Sequence, residues 1–192
     1  MYKAIVFDFD DTIVDSNRIK QETFTQILSS LGFNSKEVLN VVKNEYMSRV
    51  EVFKHFLPSY TQDQLSNIIA LFSKKVYDKI ICLKPSSDFF KIVKEAQEKN
   101  TLIFLSSNTP ENQLIEIVKK MNLISIFKQV HGYPKKKEDT LKSIINQYGL
   151  SPKSILVIGD GLSDLEAAKK NETDFFLVKE LSLKNAISLT NE

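Results

Sequence analysis

The stretch Lys3–Ser16, KAIVFDFDDTIVDS, determines how the rest of the chain is interpreted. It opens with four apolar residues, Ala4–Phe7, and such a short, partly β-branched run is typical of a buried parallel strand. Three carboxylates follow within four positions, at Asp8, Asp10 and Asp11. An Asp-rich turn is one explanation, but carboxylates this close repel one another and resist burial unless a positive group lies among them. The stretch therefore predicts a site for a hard divalent cation with oxygen ligands, Mg²⁺ before Ca²⁺.

Composition limits the class of protein. The chain has 192 residues, of which 42% are hydrophobic and 26% charged, so it fits one globular domain or one domain with an insertion. A net charge of +2 gives no argument for a nucleic-acid partner. No apolar run approaches the ~20 residues of a membrane helix, and we expect no signal peptide because the sequence enters a strand at once. We expect a cytoplasmic protein without a membrane partner, and a monomer because no long heptad repeat occurs.

The only cysteine, Cys82, excludes an internal disulfide and fits a reducing compartment. Its apolar neighbours predict that the thiol is buried.

Two patterns divide the rest of the chain. Hydrophobic periodicity is helical up to about Leu83, with no strand signal, which predicts an all-helical unit of about four helices. After Pro85, short apolar strands alternate with amphipathic helices, and a last helix is expected in the tail after Val178. This alternation predicts an α/β fold with a doubly wound parallel sheet. We therefore expect an α/β core formed by residues 1–14 and 85–192, and a helical insertion at 15–84 where a lid would be useful.

Three of the predicted strands end in polar residues. Asp8 and Asp10 follow the first strand, Ser107 and Asn108 follow the second, which is predicted at Thr101–Leu105, and Asp160 ends a later one. In a parallel sheet, all carboxyl ends of strands meet at one edge, so these side chains are expected to converge. A lysine just before a predicted helix, Lys137 to Tyr148, comes from the same edge.

Phosphoryl transfer to a carboxylate is the chemistry that needs this set. Asp8 would attack phosphorus, and Asp10 would first protonate the leaving oxygen and then deprotonate the attacking water. Mg²⁺ held by Asp8, Asp160 and the backbone carbonyl of Asp10, together with the lysine, would offset the negative charge. Ser107 would bind phosphate oxygens. Asp164 would hold a metal-bound water or orient the lysine.

Three motifs resemble those of the haloacid dehalogenase-like hydrolase superfamily. They are DFDDTIVDS at Asp8–Ser16, LSSN at Leu105–Asn108 and GDGLSD at Gly159–Asp164. The similarity is greatest to phosphoglycolate phosphatase and its relatives, which implies a Rossmann-like core, a mobile helical C1 cap and Mg²⁺-dependent hydrolysis of a phosphate monoester. It also implies that Thr12 and Asn108 contribute to phosphate binding.

The chain departs from the family pattern at two places. The usual glycine of the first motif is Asp11 here, as in many relatives. The common Lys-Pro motif is absent, and the chain reads GYPKKKE at Gly132–Glu138. Counting back from Gly149 favours Lys135 as the motif lysine. The position next to the helix start, and a Gly-x-Pro-x-x-Lys form found in some relatives, favour Lys137, which we prefer.

The predicted function is hydrolysis of a small phosphorylated metabolite by a Mg²⁺-dependent phosphatase. A phosphomutase is the first alternative, because it keeps the same residues. A phospho-acceptor signalling domain is a weaker alternative, because the chain has a helical insertion and an acid at Asp10. A non-catalytic binding protein on the same scaffold is also weaker, because the set of candidate site residues is intact. Arg49 in the insertion is a candidate contact for the leaving group, because a guanidinium suits a carboxylate or a second phosphate, although a surface arginine is the better explanation of the two.

Overall fold

The computed structural model describes residues 1–43 and 47–178, and these contain five β-strands and eight α-helices. The strands are β1 (Ala4–Phe7), β2 (Leu102–Pro110), β3 (Gln129–Tyr133), β4 (Ile155–Gly159) and β5 (Asp174–Leu177). The helices are α1 (Asn17–Ser30), α2 (Ser35–Val42), α3 (Arg49–Phe56), α4 (Gln62–Ile80), α5 (Ser87–Glu98), α6 (Glu111–Lys120), α7 (Lys137–Tyr148) and α8 (Leu162–Lys170), with short 3₁₀ turns at Ile124–Ile126 and Pro152–Ser154. The helix predicted after Val178 lies outside the described residues.

The chain divides into two compact units. One combines Met1–Asp15 with the chain from Leu83 onward, and the other is Ser16–Cys82. The first holds the whole sheet and α5–α8, whereas the described part of the second consists of α1–α4. No described helix has the combination of length and apolar character that crossing a membrane requires.

The α/β unit is a five-stranded sheet in the order β3-β2-β1-β4-β5, and every neighbouring pair is parallel. The predicted doubly wound α/β fold, with an all-helical insertion after the first strand, is therefore confirmed. The register pairs Phe7 with Leu105 on one side and with Ile158 on the other. Because Phe7 is the last residue of β1, the residues that follow Phe7, Leu105 and Ile158 in their three neighbouring chain segments meet at one edge.

Helices cover both faces of the central strand. Ala4 and Val6 of β1 belong to a buried cluster that includes Leu141 of α7 and Ala167 of α8. Phe7 makes an edge-to-face contact with Phe89 of α5, with 5.2 Å between the ring centroids. A strand that is buried on both faces has no polar position available, which explains why the polar residues are found at its end.

Helix caps and an aromatic cluster stabilise the helical unit that contains α1–α4. Ser48 and Thr61 form capping boxes at the starts of α3 and α4. Phe24, Phe53 and Phe72 pack together, with ring centroids 4.1 to 5.7 Å apart.

The buried thiol predicted at Cys82 is wrong. The residue is exposed because it follows the end of α4, where Ile80 is the last side chain of the buried stripe.

Candidate active site

Asp8 is the first residue after β1, and its carboxylate is buried. Its N–H donates to the Ile158 carbonyl at 2.9 Å, which continues the pairing with β4, and its side chain is only 5% exposed. The Lys137 ammonium lies 2.8 Å from Asp8 Oδ1. A buried carboxylate is costly unless it is paired, and this contact supplies the pairing.

Lys137 bridges two carboxylates at the start of α7. Its Nζ donates to Asp164 Oδ1 at 2.8 Å as well as contacting Asp8, and the lysine side chain is 6% exposed. Of the two lysines considered from sequence, the structure thus brings Lys137 to Asp8. Lys135 is half-buried and forms no ion pair with any described residue.

Asp10 is held by two hydroxyls of β2. Thr109 Oγ1 donates to Asp10 Oδ2 at 3.0 Å, and Ser107 Oγ reaches the same oxygen at 3.5 Å. Ser107 and Thr109 share a face because they lie two residues apart in a strand. Thr109 was missed in the sequence, where β2 was expected to end at Leu105, whereas it continues to Pro110. The alternation Ser107-x-Thr109 was the available signal.

A tight turn after β1 sets the direction of the motif residues. Asp11 has a φ of 52°, in the left-handed region, and the Ile13 N–H returns to the Phe9 carbonyl at 3.0 Å. Aspartate tolerates this conformation better than most residues, which explains how it replaces the family's usual glycine. The Thr12 hydroxyl is buried and forms no hydrogen bond with a described residue, so it is available to a ligand.

Three carboxylates form a cluster that fits a hard divalent cation. Oxygens of Asp8, Asp160 and Asp164 all lie within 4.8 Å of one another. Asp164 Oδ2 is buried and accepts no hydrogen bond from any described residue, so it has a coordination position to offer. Gly159 makes room for this side chain, since a Cβ there would lie 2.3 Å from Asp164 Cγ. An oxygen-only donor set of this kind suits Mg²⁺ or Ca²⁺.

Burial controls the ionisation of these groups. It raises the pKa of Asp8, with a smaller contribution from Asp10, although Lys137 opposes the shift. Burial and then the charge of Asp8 raise the pKa of Asp164 to about 7. Burial alone would lower the pKa of Lys137, but Asp8 and Asp164 together raise it above its ordinary value. The cluster therefore has more negative charge than one ammonium offsets, and a bound cation would favour the ionised carboxylates.

Two further predicted residues have other contacts. Asn108 is exposed and its amide donates to Ser163 Oγ at 3.4 Å. Arg49 belongs to the helical unit, where its Nη1 donates to Ser73 Oγ at 2.9 Å.

Comparison with known proteins identifies relatives along nearly the whole chain. The family model of the haloacid dehalogenase-like hydrolases matches residues 5–178. A hydrolase from Streptococcus pneumoniae TIGR4 has 21% sequence identity and a TM-score of 0.65, over 100% of this chain and 99% of that one.

Two other solved structures are similar in fold. A variant of CbbY from Rhodobacter sphaeroides, in complex with xylulose-(1,5)bisphosphate, has 15% identity and a TM-score of 0.72 over 92% of this chain and 86% of that one. A predicted phosphoglycolate phosphatase from Haemophilus somnus 129pt has 18% identity and a TM-score of 0.70 over 91% and 84%. At these identities the structures show a shared fold, and the family model shows membership.

Proposed function

The chain belongs to the haloacid dehalogenase-like hydrolases, and from that premise we propose that it is a Mg²⁺-dependent phosphatase of a small phosphorylated metabolite. The observation that carries the proposal is the buried Asp8 carboxylate, paired with Lys137 at the edge of the sheet where Asp10 is held by two hydroxyls. A paired nucleophile beside a second, separately held carboxylate is what an aspartyl-phosphate mechanism requires.

In this mechanism Asp8 attacks the phosphorus atom of a phosphate monoester. The P–O bond to the leaving group breaks as the Asp8 Oδ–P bond forms, and Asp10 gives its proton to the leaving oxygen. Asp10, now ionised, then takes a proton from a water molecule that attacks the aspartyl phosphate. As the new P–O bond from water forms, the Asp8 Oδ–P bond breaks, so inorganic phosphate is released, Asp8 is again a carboxylate and Asp10 is again protonated.

Lys137, Ser107 and Thr12 provide binding groups for the transferred phosphoryl oxygens. The Lys137 ammonium is held by Asp8 and Asp164, so it is oriented before the substrate arrives. The Thr12 hydroxyl, which has no hydrogen-bond partner among the described residues, and the Ser107 hydroxyl can donate to phosphate oxygens. We assign Asn108 to the same binding group on the family pattern.

Asp8, Asp160 and the backbone carbonyl of Asp10 would hold Mg²⁺, with Asp164 as a further or indirect ligand. When bound, the ion offsets the charge of the carboxylates and of the phosphoryl oxygens. CbbY was crystallised with a bisphosphate, and this similarity supports a phosphorylated metabolite as substrate. We further propose that residues 15–84 act as a cap that selects the leaving group, with Arg49 as a candidate contact, and that the protein is a cytoplasmic monomer.

Phosphate release from a panel of phosphorylated metabolites tests the proposal. We expect release that requires Mg²⁺ and stops when a chelator is added. Interconversion of sugar phosphates without net release would indicate a phosphomutase instead. Absence of both reactions with every panel member would contradict the assignment of an enzyme of this class.

We expect Mg²⁺ to raise the melting temperature more at pH 8 than at pH 5.5. The pKa of Asp164 is raised to about 7, so the stability gained from its protonated form is complete below about pH 4 and is lost as the pH rises through 7. Above pH 7 the ionised carboxylates favour the ion, whereas protons compete with it at pH 5.5. At about a hundred times the dissociation constant, the ion should add roughly 2.7 kcal/mol to the free energy of unfolding.

Two matched variants control this measurement. Asp160→Asn should lose most of the shift, and Asp63→Asn, at an exposed position of α4, should keep it. Equal shifts at both pH values, or an undiminished shift in Asp160→Asn, would contradict the assigned cluster.

A further inference from the structure

We propose that Thr109 is a positioning residue for Asp10 and fixes its carboxylate for proton exchange with the leaving group. This inference rests on the proposed function and adds to it a residue outside the motifs described above. Its basis is the 3.0 Å hydrogen bond from Thr109 Oγ1 to Asp10 Oδ2. A carboxylate with one oxygen fixed by a donor rotates less freely about its Cβ–Cγ bond, so its plane is set before the substrate binds.

The geometry separates the tasks of the two β2 hydroxyls. Ser107 Oγ is 3.5 Å from Asp10 Oδ2, at the limit of a hydrogen bond, and it also accepts the Thr109 N–H at 3.1 Å. The Ser107 hydroxyl proton can therefore turn toward a phosphoryl oxygen at little cost. Thr109 retains Asp10 when it does so, because its bond to Asp10 is the shorter of the two.

The backbone around Thr109 is itself held by the neighbouring strand. Gly132 of β3 packs directly against it, so that a Cβ at Gly132 would lie 2.5 Å from the Thr109 carbonyl oxygen and 2.5 Å from Glu111 Cα. The Gly132 N–H donates to Glu111 Oε2 at 3.0 Å. These contacts leave the turn from β2 into α6 little room to shift, so the Thr109 hydroxyl is presented to Asp10 from a rigid support.

Leaving-group dependence distinguishes positioning of Asp10 from a general structural role. An alkyl phosphate needs a proton donor to expel its leaving oxygen, whereas p-nitrophenyl phosphate expels a stable phenolate with little help. The ratio kcat/KM contains only the steps up to the first irreversible one, so it reports formation of the aspartyl phosphate and not its hydrolysis. Comparing kcat/KM for β-glycerophosphate with that for p-nitrophenyl phosphate therefore isolates proton donation by Asp10 to the leaving oxygen.

We expect Thr109→Val to lower kcat/KM for β-glycerophosphate by roughly tenfold to a hundredfold and to leave that for p-nitrophenyl phosphate nearly unchanged. Thr109→Ser keeps the hydroxyl, so the kcat/KM for β-glycerophosphate divided by that for p-nitrophenyl phosphate should keep its wild-type value. In an Asp10→Asn background, Thr109→Val should change the ratio no further, because the group it positions is gone. The matched control is Thr101→Val, which removes a hydroxyl bonded to the Tyr2 carbonyl at 3.1 Å and should leave both rates unchanged.

Each outcome bears on one claim. Equal losses on both esters in Thr109→Val, or a further change of the ratio in the Asp10→Asn background, would overturn the positioning role while the phosphatase assignment stood. If the wild-type protein released no phosphate in an Asp8-dependent way from these two esters or from any other member of the panel, the proposed function would fail, and the role of Thr109 with it.

Discussion

Asp8→Asn is expected to abolish phosphate release, with a loss of roughly four orders of magnitude or more in kcat. The amide has the shape of the carboxylate but cannot form the bond to phosphorus. The fold should persist, because Lys137 keeps its 2.8 Å contact with Asp164 and a neutral amide is cheaper to bury than a carboxylate. The measurement is single-turnover phosphate release, accompanied by thermal unfolding of both proteins.

Asp11→Asn is the matched control for this variant. It removes a neighbouring carboxylate, and asparagine tolerates the left-handed φ of 52° at that position. We expect it to retain most of the activity. Mass spectrometry of acid-quenched protein should find a phosphoryl group on Asp8 in the wild type. Turnover by Asp8→Asn, or a phosphoryl group on another residue, would reject Asp8 as the nucleophile.

The elements that the sequence predicted well are those whose signal is local. β1 is an apolar run that is followed directly by a carboxylate, and α7 begins at Lys137 and ends before a left-handed Gly149. Both elements follow rules that depend only on neighbouring residues, namely burial of an apolar strand and termination of a helix by glycine. The convergence of three strand ends follows equally from the parallel topology.

What the sequence did not predict depends on contacts between distant segments. The role of Thr109 requires knowing that β2 continues past Leu105, and β3 supports that extension through Gly132. That Asp164 Oδ2 lacks a hydrogen-bond partner within residues 1–43 and 47–178 is visible only when Gly159 and Lys137 are placed around it. Spacing alone also did not decide between Lys135 and Lys137 as the motif lysine. Lysines within one short run differ in the direction of their side chains, which the sequence does not show.

Lys137→Met is expected to lower kcat by roughly a hundredfold to a thousandfold. Methionine has about the length of lysine without its charge, so the variant isolates the ammonium group. The wild-type Nζ lies 2.8 Å from Asp8 and from Asp164, where it both offsets their charge and stands ready for a phosphoryl oxygen. Steady-state kinetics with any ester that the wild type hydrolyses would measure the loss.

The same variant should be less stable by about 3–5 kcal/mol at pH 8, because it leaves two buried carboxylates without their partner. The deficit should shrink as the pH falls. Asp8 and Asp164 have raised pKa values in the folded protein, so they take up protons and lose their mutual repulsion before the unfolded chain does. Denaturant unfolding at pH 8 and at pH 5.5 measures both effects, and Mg²⁺ should recover part of the loss at the higher pH.

Lys135→Met separates this role from that of a generally basic loop. Lys135 is half-buried and forms no ion pair within the described part of the chain, so its replacement should change stability and kcat little. If charge near the start of α7 were all that mattered, the two variants would lose similar activity. A greater loss in Lys135→Met would show that the ammonium group used in turnover is not the one paired with Asp8 in this structure. The predicted asymmetry follows from burial, because only a lysine held between two desolvated carboxylates affects both folding and phosphoryl transfer.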